Sequence, residues 1–304
     1  MAWLHENKEE FRNAVNFTAE QNRQMPSAVE KDYYVTLILK GIKDHLPFIV
    51  FKGGTSLSKC HKVIKRFSED IDLTIDTKLS EGQREEVKKV IKTIAGELGL
   101  TILNLEETRS RRNYNKYLLA YEPVTGKLSK ELQPIVILET SFTEVSFPTV
   151  ILPVHSCVGD MMEAEAPELV ETYGLLPFEM KVQGIDRTLI DKVFALCDYF
   201  MNGDVRRYSR HIYDIYKLLP LVPLNEGFRT LVKEVRAIRS KNTGICPSAQ
   251  PGVDVPGILT EIIDKDFFRT DYESVTSRIL EEQIPYDVAV KALKEIASSG
   301  WFEE

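Results

Sequence analysis

Residues 51–73 read FKGGTSLSKCHKVIKRFSEDIDL. A short apolar run, Phe48 to Phe51, ends in the pair Gly53 and Gly54, which reads as a strand entering a tight turn before a short helix over Ser56 to Ile64. Three acids, Glu69, Asp70 and Asp72, then follow a strongly basic spacer, KCHKVIKR, that reads as a helix folding the turn over the next strand. That strand, EDIDLTID, alternates: Asp70, Asp72, Thr74 and Asp76 fall on one face, and Ile71, Leu73 and Ile75 on the other.

Each half suggests chemistry and admits a simpler reading. Backbone N–H groups at a Gly-Gly turn ahead of a helix form a concave nest suited to phosphate. The stretch is neither a Walker loop, since Lys52 precedes the glycines, nor G-x-G-x-x-G, and a plain strand-to-helix turn remains open. Asp70 and Asp72 project side by side, about 6.5 to 7 Å apart at the backbone. Two like charges so placed call for a divalent metal, as in two-metal phosphoryl-transfer sites with ions about 3.5 to 4 Å apart, or for a solvated face paired with Lys65 and Arg66.

The rest of the chain supplies a frame. Tyr34, Leu37, Ile38 and Ile42 recur at helical spacing, EGQREEVKKVIKTIAGELGL is an amphipathic helix stopped by glycine, and KYLLAYEPV and LQPIVILETSF form an antiparallel pair. Another strand, LLPFEMKVQGI, follows. From Asp186 the pattern is helical: Leu189, Val193, Leu196 and Phe200 make a stripe capped by Asp186 and ended by Gly203. Asp204 caps the next helix, which stops at Pro220 and completes a helical hairpin. SKNTGICPSAQPG is a loop, and VTSRILEEQIPYDVAVKALKEIAS closes the chain as helix. The expected organisation is α+β, with a mixed-sheet lobe over 1–184 and a mainly helical lobe over 185–304.

Other charged residues need partners. Glu139 is a lone charge in the apolar run PIVILETSF, so it requires a cation or donor nearby or marks the strand's exit into solvent. Lys192 projects from the face it shares with Thr188, Ala195 and Tyr199, and Asp214 lies four residues after Arg210, where a surface ion pair explains it. The loop RSRRNYNK, Arg109 to Lys116, has the composition to grip end-exposed RNA by phosphate contact and stacking, or is a solvated hairpin tip. Arg206, Arg207 and Arg210 form a second basic stretch.

Composition narrows the class. Over 304 residues, 39 basic and 46 acidic side chains give a net charge of −7, which argues against coating nucleic acid by bulk attraction. Cys60, Cys157, Cys197 and Cys246 show neither zinc spacing nor a disulfide framework. The opening MAWLHENKEEFRN lacks a signal-peptide pattern, and no run reaches the roughly 18 apolar residues of a membrane span. A cytoplasmic protein without a membrane partner is expected.

Taken together, KGGTSLSK and RFSEDIDL resemble the AbiEii family of nucleotidyltransferase toxins of bacterial abortive-infection and type IV toxin–antitoxin systems. EKDYYVTLIL, DRTLIDKVFAL and RHIYDIYKL resemble further family segments in the family's order. The resemblance implies a polymerase-β-like nucleotidyltransferase fold with Gly53, Gly54, Thr55 and Ser56 cradling a nucleotide triphosphate beside Lys59 and Arg66. It also implies magnesium, as a two-metal site, on Asp70 and Asp72 with Glu139 as a third carboxylate. Lys192 matches the motif lysine that neutralises phosphate, and Asp214 the motif aspartate; His211 stands where the family often has an acid, and Asp191 where it often has glutamate. The implied acceptor is RNA, a tRNA 3′ end foremost, and the implied partner a cognate antitoxin. Kinase-like phosphoryl transfer on the same fold and a non-catalytic RNA- or partner-binding module are the alternatives.

Overall fold

The structure, a computed structural model, describes residues 2–68, 70–126 and 133–303, with Glu144 in its backbone only; Glu69 and Leu132, both inside expected strands, lie outside the described residues. The chain forms two compact units, Met1–Cys60 with Glu69–Val182 and His61–Ser68 with Gln183–Glu304. The spacer 61–68 therefore packs with the second unit, although its sequence position lies inside the expected first lobe.

The first unit opens with helices α1 (Lys8–Asn22) and α2 (Pro26–His45). Pro26 at the first position of α2 suits a helix start, where its missing N–H is no loss. The α2 residues Val29, Tyr33, Leu37, Ile38 and Ile42 are buried, so this helix runs through the core instead of over its surface. Strand β1 (Ile49–Lys52) leads directly into α3 (Gly53–Lys59), and β2 (Ile71–Ile75) follows. Gly53 and Gly54 thus begin the helix itself. The expected helix over the basic spacer is absent: α3 ends at Lys59, and Lys62 has φ +56°, a left-handed conformation that interrupts a helix.

Helix α4 (Glu81–Glu97) starts with a capping box between Ser80 and Gln83 and is followed by Gly99 at φ +65°, as its pattern predicts. Strands β3 (Thr101–Ile102), β4 (Tyr114–Ala120), β5 (Ile135–Val145) and β6 (Thr149–Val154) come next, then α5 (Cys157–Glu165), α6 (Pro167–Thr172) and β7 (Phe178–Gln183). The sheet order is β3-β4-β5-β2-β1-β7-β6. It is mixed: β1 with β2, and β4 with β3 and β5, are antiparallel, whereas β2 with β5 and β1 with β7 are parallel. The central strands bury Phe51, Ile71, Leu73, Val136 and Leu138, which places the acid-bearing β2 in the middle of the sheet.

The second unit is helical. It contains α7 (Ile185–Asn202), α8 (Arg210–Leu218), α9 (Glu226–Arg239), α10 (Val255–Asp264) and a closing helix, Lys291–Ser298. Gly203 ends α7 at φ +75° as expected, but the other two expected caps differ. Gly184 precedes α7 and Asp186 lies inside it, its side chain accepting from Arg187 N–H, while α8 begins after Ser209 and not at Asp204. Leu189, Val193, Leu196, Ile212, Leu259 and Leu293 fill the core of this unit. No helix among the described residues is long and apolar enough to cross a membrane.

Candidate active site

Gly53 has φ +80°, and a Cβ built on it would lie 1.9 Å from Asp72 Oδ2. Two independent constraints therefore demand glycine: the left-handed backbone and the carboxylate pressed against the start of α3. Glycine turn and acidic strand meet here, Lys52 being the cross-strand partner of Asp72. Thr55 and Ser56 are buried, and the Ser56 hydroxyl donates to Gly53 O at 2.9 Å, closing the first helical turn on itself.

The pairing registers draw a row across the sheet. Lys52 of β1 faces Asp72 of β2, Asp72 faces Glu139 of β5, and Glu139 faces Lys116 of β4. Register partners project to one face on strands about 4.8 Å apart, so two adjacent carboxylates are flanked by two ammonium groups. Lys116 Nζ lies 3.3 Å from Glu139 Oε1, and the Tyr114 hydroxyl, two residues along the same strand, also hydrogen-bonds Glu139. The cation and donor that a lone acid in PIVILETSF requires are thus Lys116 and Tyr114. Burial, followed by the Glu139, Asp72 and Asp70 carboxylates, pushes the Tyr114 pKa up. The three acids share one electrostatic neighbourhood.

Among the described residues no group of three or more His, Cys, Asp or Glu side chains is gathered as a metal cage. The donors present, Asp70 and Asp72 with Glu139 one strand over, are all carboxylate oxygen. They fit a hard cation such as magnesium, which takes one or two carboxylates and completes its shell with water and substrate phosphate.

In the second unit the spacer is docked as extended chain. Phe67 N–H donates to Ile279 O and Glu281 N–H to Lys65 O, both at 2.9 Å, with Arg66 bridged to Leu280. Lys65 N–H donates to the Tyr213 hydroxyl at 2.9 Å, and that hydroxyl donates to Glu282 at 2.6 Å. Arg66 grips Asp214 with a two-pronged pair, Nε–Oδ1 2.7 Å and Nη2–Oδ2 2.8 Å, and Lys192 Nζ reaches the same Oδ2 at 2.6 Å. The expected surface pairings, Arg210 with Asp214 and Arg66 with the acidic strand, are replaced by this cluster, in which Asp214 is fully buried. Burial alone would raise the Asp214 pKa; Arg66 and Lys192 more than reverse it and hold the carboxyl well below the usual range. Burial lowers the Lys192 pKa against the pull of Asp214, and burial with Lys192 and Arg210 keeps His211 neutral far below its ordinary value. Asp191 binds Gln183, Arg187 and Arg239.

Lys59 ends α3 in an ion pair with Asp32 of α2, and its side chain is 5% exposed. The second Asp32 oxygen accepts from Cys157 N–H at 2.8 Å, at the start of α5. That Lys52 and Lys116 flank the acids was not legible in the sequence, because only the pairing register, a long-range property, aligns them with Asp72 and Glu139.

No curated protein matches the sequence. A solved structure of MenT4, a nucleotidyltransferase toxin from Mycobacterium tuberculosis, has a similar fold, with TM-score 0.58 and 16% identity over 94% of this chain and 88% of that one. The family model for the nucleotidyl transferase AbiEii toxin of type IV toxin–antitoxin systems matches residues 38–296, which spans the glycine helix, the acidic strand and most of the helical unit. The chain belongs to the AbiEii family, and it is a nucleotidyltransferase toxin of the type IV toxin–antitoxin class.

Proposed function

We propose that the protein transfers a nucleoside monophosphate from a nucleotide triphosphate to the 3′ hydroxyl of an RNA, a tRNA foremost, in the cytoplasm and under the restraint of a cognate antitoxin. The observation that carries this reading is the Asp72 carboxylate seated against the backbone of Gly53. In this reading Asp72 would offer a metal-binding oxygen beside the N–H groups at the start of α3, where a phosphate chain would be held.

Asp70 and Asp72 would hold magnesium, with Glu139 as the third acid; bound there, the ion would supply positive charge to offset that on the phosphates in an in-line displacement. The chain's own residues do the rest. The Gly53–Ser56 turn orients the triphosphate through backbone N–H groups. Lys116 and Tyr114 hold Glu139 in place and balance its charge until an acceptor hydroxyl arrives, when Glu139 takes up that hydroxyl's proton. Lys59, tied to Asp32, fixes the far end of α3. Lys192 is assigned the charge of the departing pyrophosphate from its family motif, and Asp214, bonded to Arg66 and Lys192, favours its charged form.

Total RNA incubated with magnesium and each α-labelled nucleotide triphosphate in turn tests the reading. One size class of RNA becomes labelled with the wild type and not with Asp72→Ala. Absence of labelled RNA with every nucleotide, or equal labelling by both proteins, sinks it.

A further inference from the structure

The loop between β3 and β4 carries a second feature that the nucleotidyl-transfer site does not use. Asn115, buried at the start of β4, closes residues 109–115 into a ring: its Oδ1 accepts from Arg109 N–H at 2.8 Å and its Nδ2 donates to Arg109 O at 2.9 Å. Arg84 of α4 braces the loop by donating to Asn113 Oδ1 at 2.7 Å. Held this way, the loop presents Arg111 and Arg112 to solvent, and Tyr114 is 50% exposed while its hydroxyl stays on Glu139. A basic, pre-ordered loop is unusual on a chain with net charge −7. It ends in an exposed aromatic ring one hydrogen bond from the acids.

We propose that this loop is the seat of the acceptor: the Tyr114 ring stacks on the terminal base of a single-stranded RNA 3′ end while Arg111 and Arg112 hold its backbone phosphates. The inference rests on the nucleotidyl-transfer reading and adds the acceptor's location to it. Stacking needs a flat exposed face and phosphate contact needs solvent-exposed cations; both lie on one closed loop, where Arg112 makes one long bond, to Glu107 O at 3.3 Å. The placement also accounts for the Tyr114–Glu139 hydrogen bond. A base stacked on Tyr114 brings its own ribose hydroxyl towards Glu139.

The test uses full-length protein and a 5′-fluorescein single-stranded 12-nucleotide RNA with a free 3′ hydroxyl, followed by anisotropy, together with transfer from α-labelled nucleotide. Tyr114→Ala weakens RNA binding and raises the acceptor KM by about 5- to 150-fold, the range for one lost stacking contact, while the nucleotide KM stays unchanged. Tyr114→Phe, which keeps the ring, retains the wild-type acceptor KM and lowers kcat. The double variant Arg111→Ala/Arg112→Ala reduces the salt slope of binding by about 2. The same RNA annealed to a blunt duplex binds more weakly than the single strand. Wild-type transfer accompanied by an unchanged acceptor KM in Tyr114→Ala overturns the inference and leaves the reaction standing; loss of transfer in the wild type itself overturns the reaction instead. Loop variants that bind RNA normally but escape neutralisation by the antitoxin would make this a protein-binding surface and also overturn it.

Discussion

Replacing Gly53 with alanine adds one methyl group where β1 turns into α3. The backbone there has φ +80°, which costs a residue with a side chain about 1–2 kcal/mol. The methyl would also sit 1.9 Å from Asp72 Oδ2 and 2.8 Å from Asp72 Cγ, where Cβ contacts below 3.0 Å essentially never occur. The carboxylate must retreat by about 1 Å, and a displacement of that size at a reacting centre can cost roughly 100-fold in rate. Gly53→Ala therefore folds, melts a few degrees lower, and loses about two orders of magnitude in kcat for transfer from α-labelled nucleotide. Gly96→Ala is the control: a methyl in that part of α4 meets nothing within 4 Å, so it raises stability by up to about 1 kcal/mol and leaves transfer unchanged. If Gly53→Ala kept kcat within a factor of about 3, under 1 kcal/mol of barrier, the seating of Asp72 against α3 would have no part in the reaction.

Three further perturbations separate chemistry from scaffolding. Lys192→Met leaves Asp214 in the two-pronged grip of Arg66 and removes a buried ammonium, so stability changes by no more than about 1.5 kcal/mol while transfer collapses; a melt and a transfer assay on the same sample check both. Asp32→Asn strips the counter-ion from buried Lys59, costing about 3 kcal/mol. It also lowers the Cys157 pKa from about 12, because Asp32 is the largest cause of its rise, so alkylation of Cys157 at alkaline pH accelerates. Burial raises the Glu30 pKa above its usual 4.5, against hydrogen bonds from Thr125 and Val124. The folded carboxyl holds its proton more tightly than the unfolded chain, so its contribution is present at low pH and is lost as pH rises through the folded value. Glu30→Gln, which keeps an acceptor for Val124 N–H, should gain on the wild type between pH 5 and pH 7.5 in thermal melts, and an unchanged difference would refute the assignment.

Much of the site was legible because it depends on local pattern. The alternation of Ile71, Leu73 and Ile75 with the acids gives β2 in the structure, and the stripe from Leu189 to Phe200 gives α7 with Gly203 at its end. What could not be read depends on distant chain. The spacer has the charge pattern of an amphipathic helix, yet its backbone pairs with residues 279–281 and its arginine with Asp214, partners more than a hundred residues away. Asp214 shows the same effect. The i, i+4 spacing to Arg210 supports a cheap surface pair, but tertiary packing buries the acid and supplies Arg66 and Lys192 in its place. Strand β6 was missed because TVILPV contains a proline, a residue that demotes a run as a strand, and it forms a sheet edge in the structure. The row Lys52, Asp72, Glu139 and Lys116 joins four strands whose register no single segment encodes.

The central claim, that the α-phosphate with its nucleoside is what moves, is tested most directly by two parallel reactions of wild-type protein with magnesium and an RNA acceptor. One contains the nucleotide triphosphate labelled at the α-phosphate and the other the same nucleotide labelled at the γ-phosphate, each beside Asp72→Asn. The account predicts that RNA takes up the α label, that the γ label leaves as pyrophosphate, and that Asp72→Asn abolishes both. Uptake of the γ label without the α label would contradict it and make the protein a kinase on the same fold.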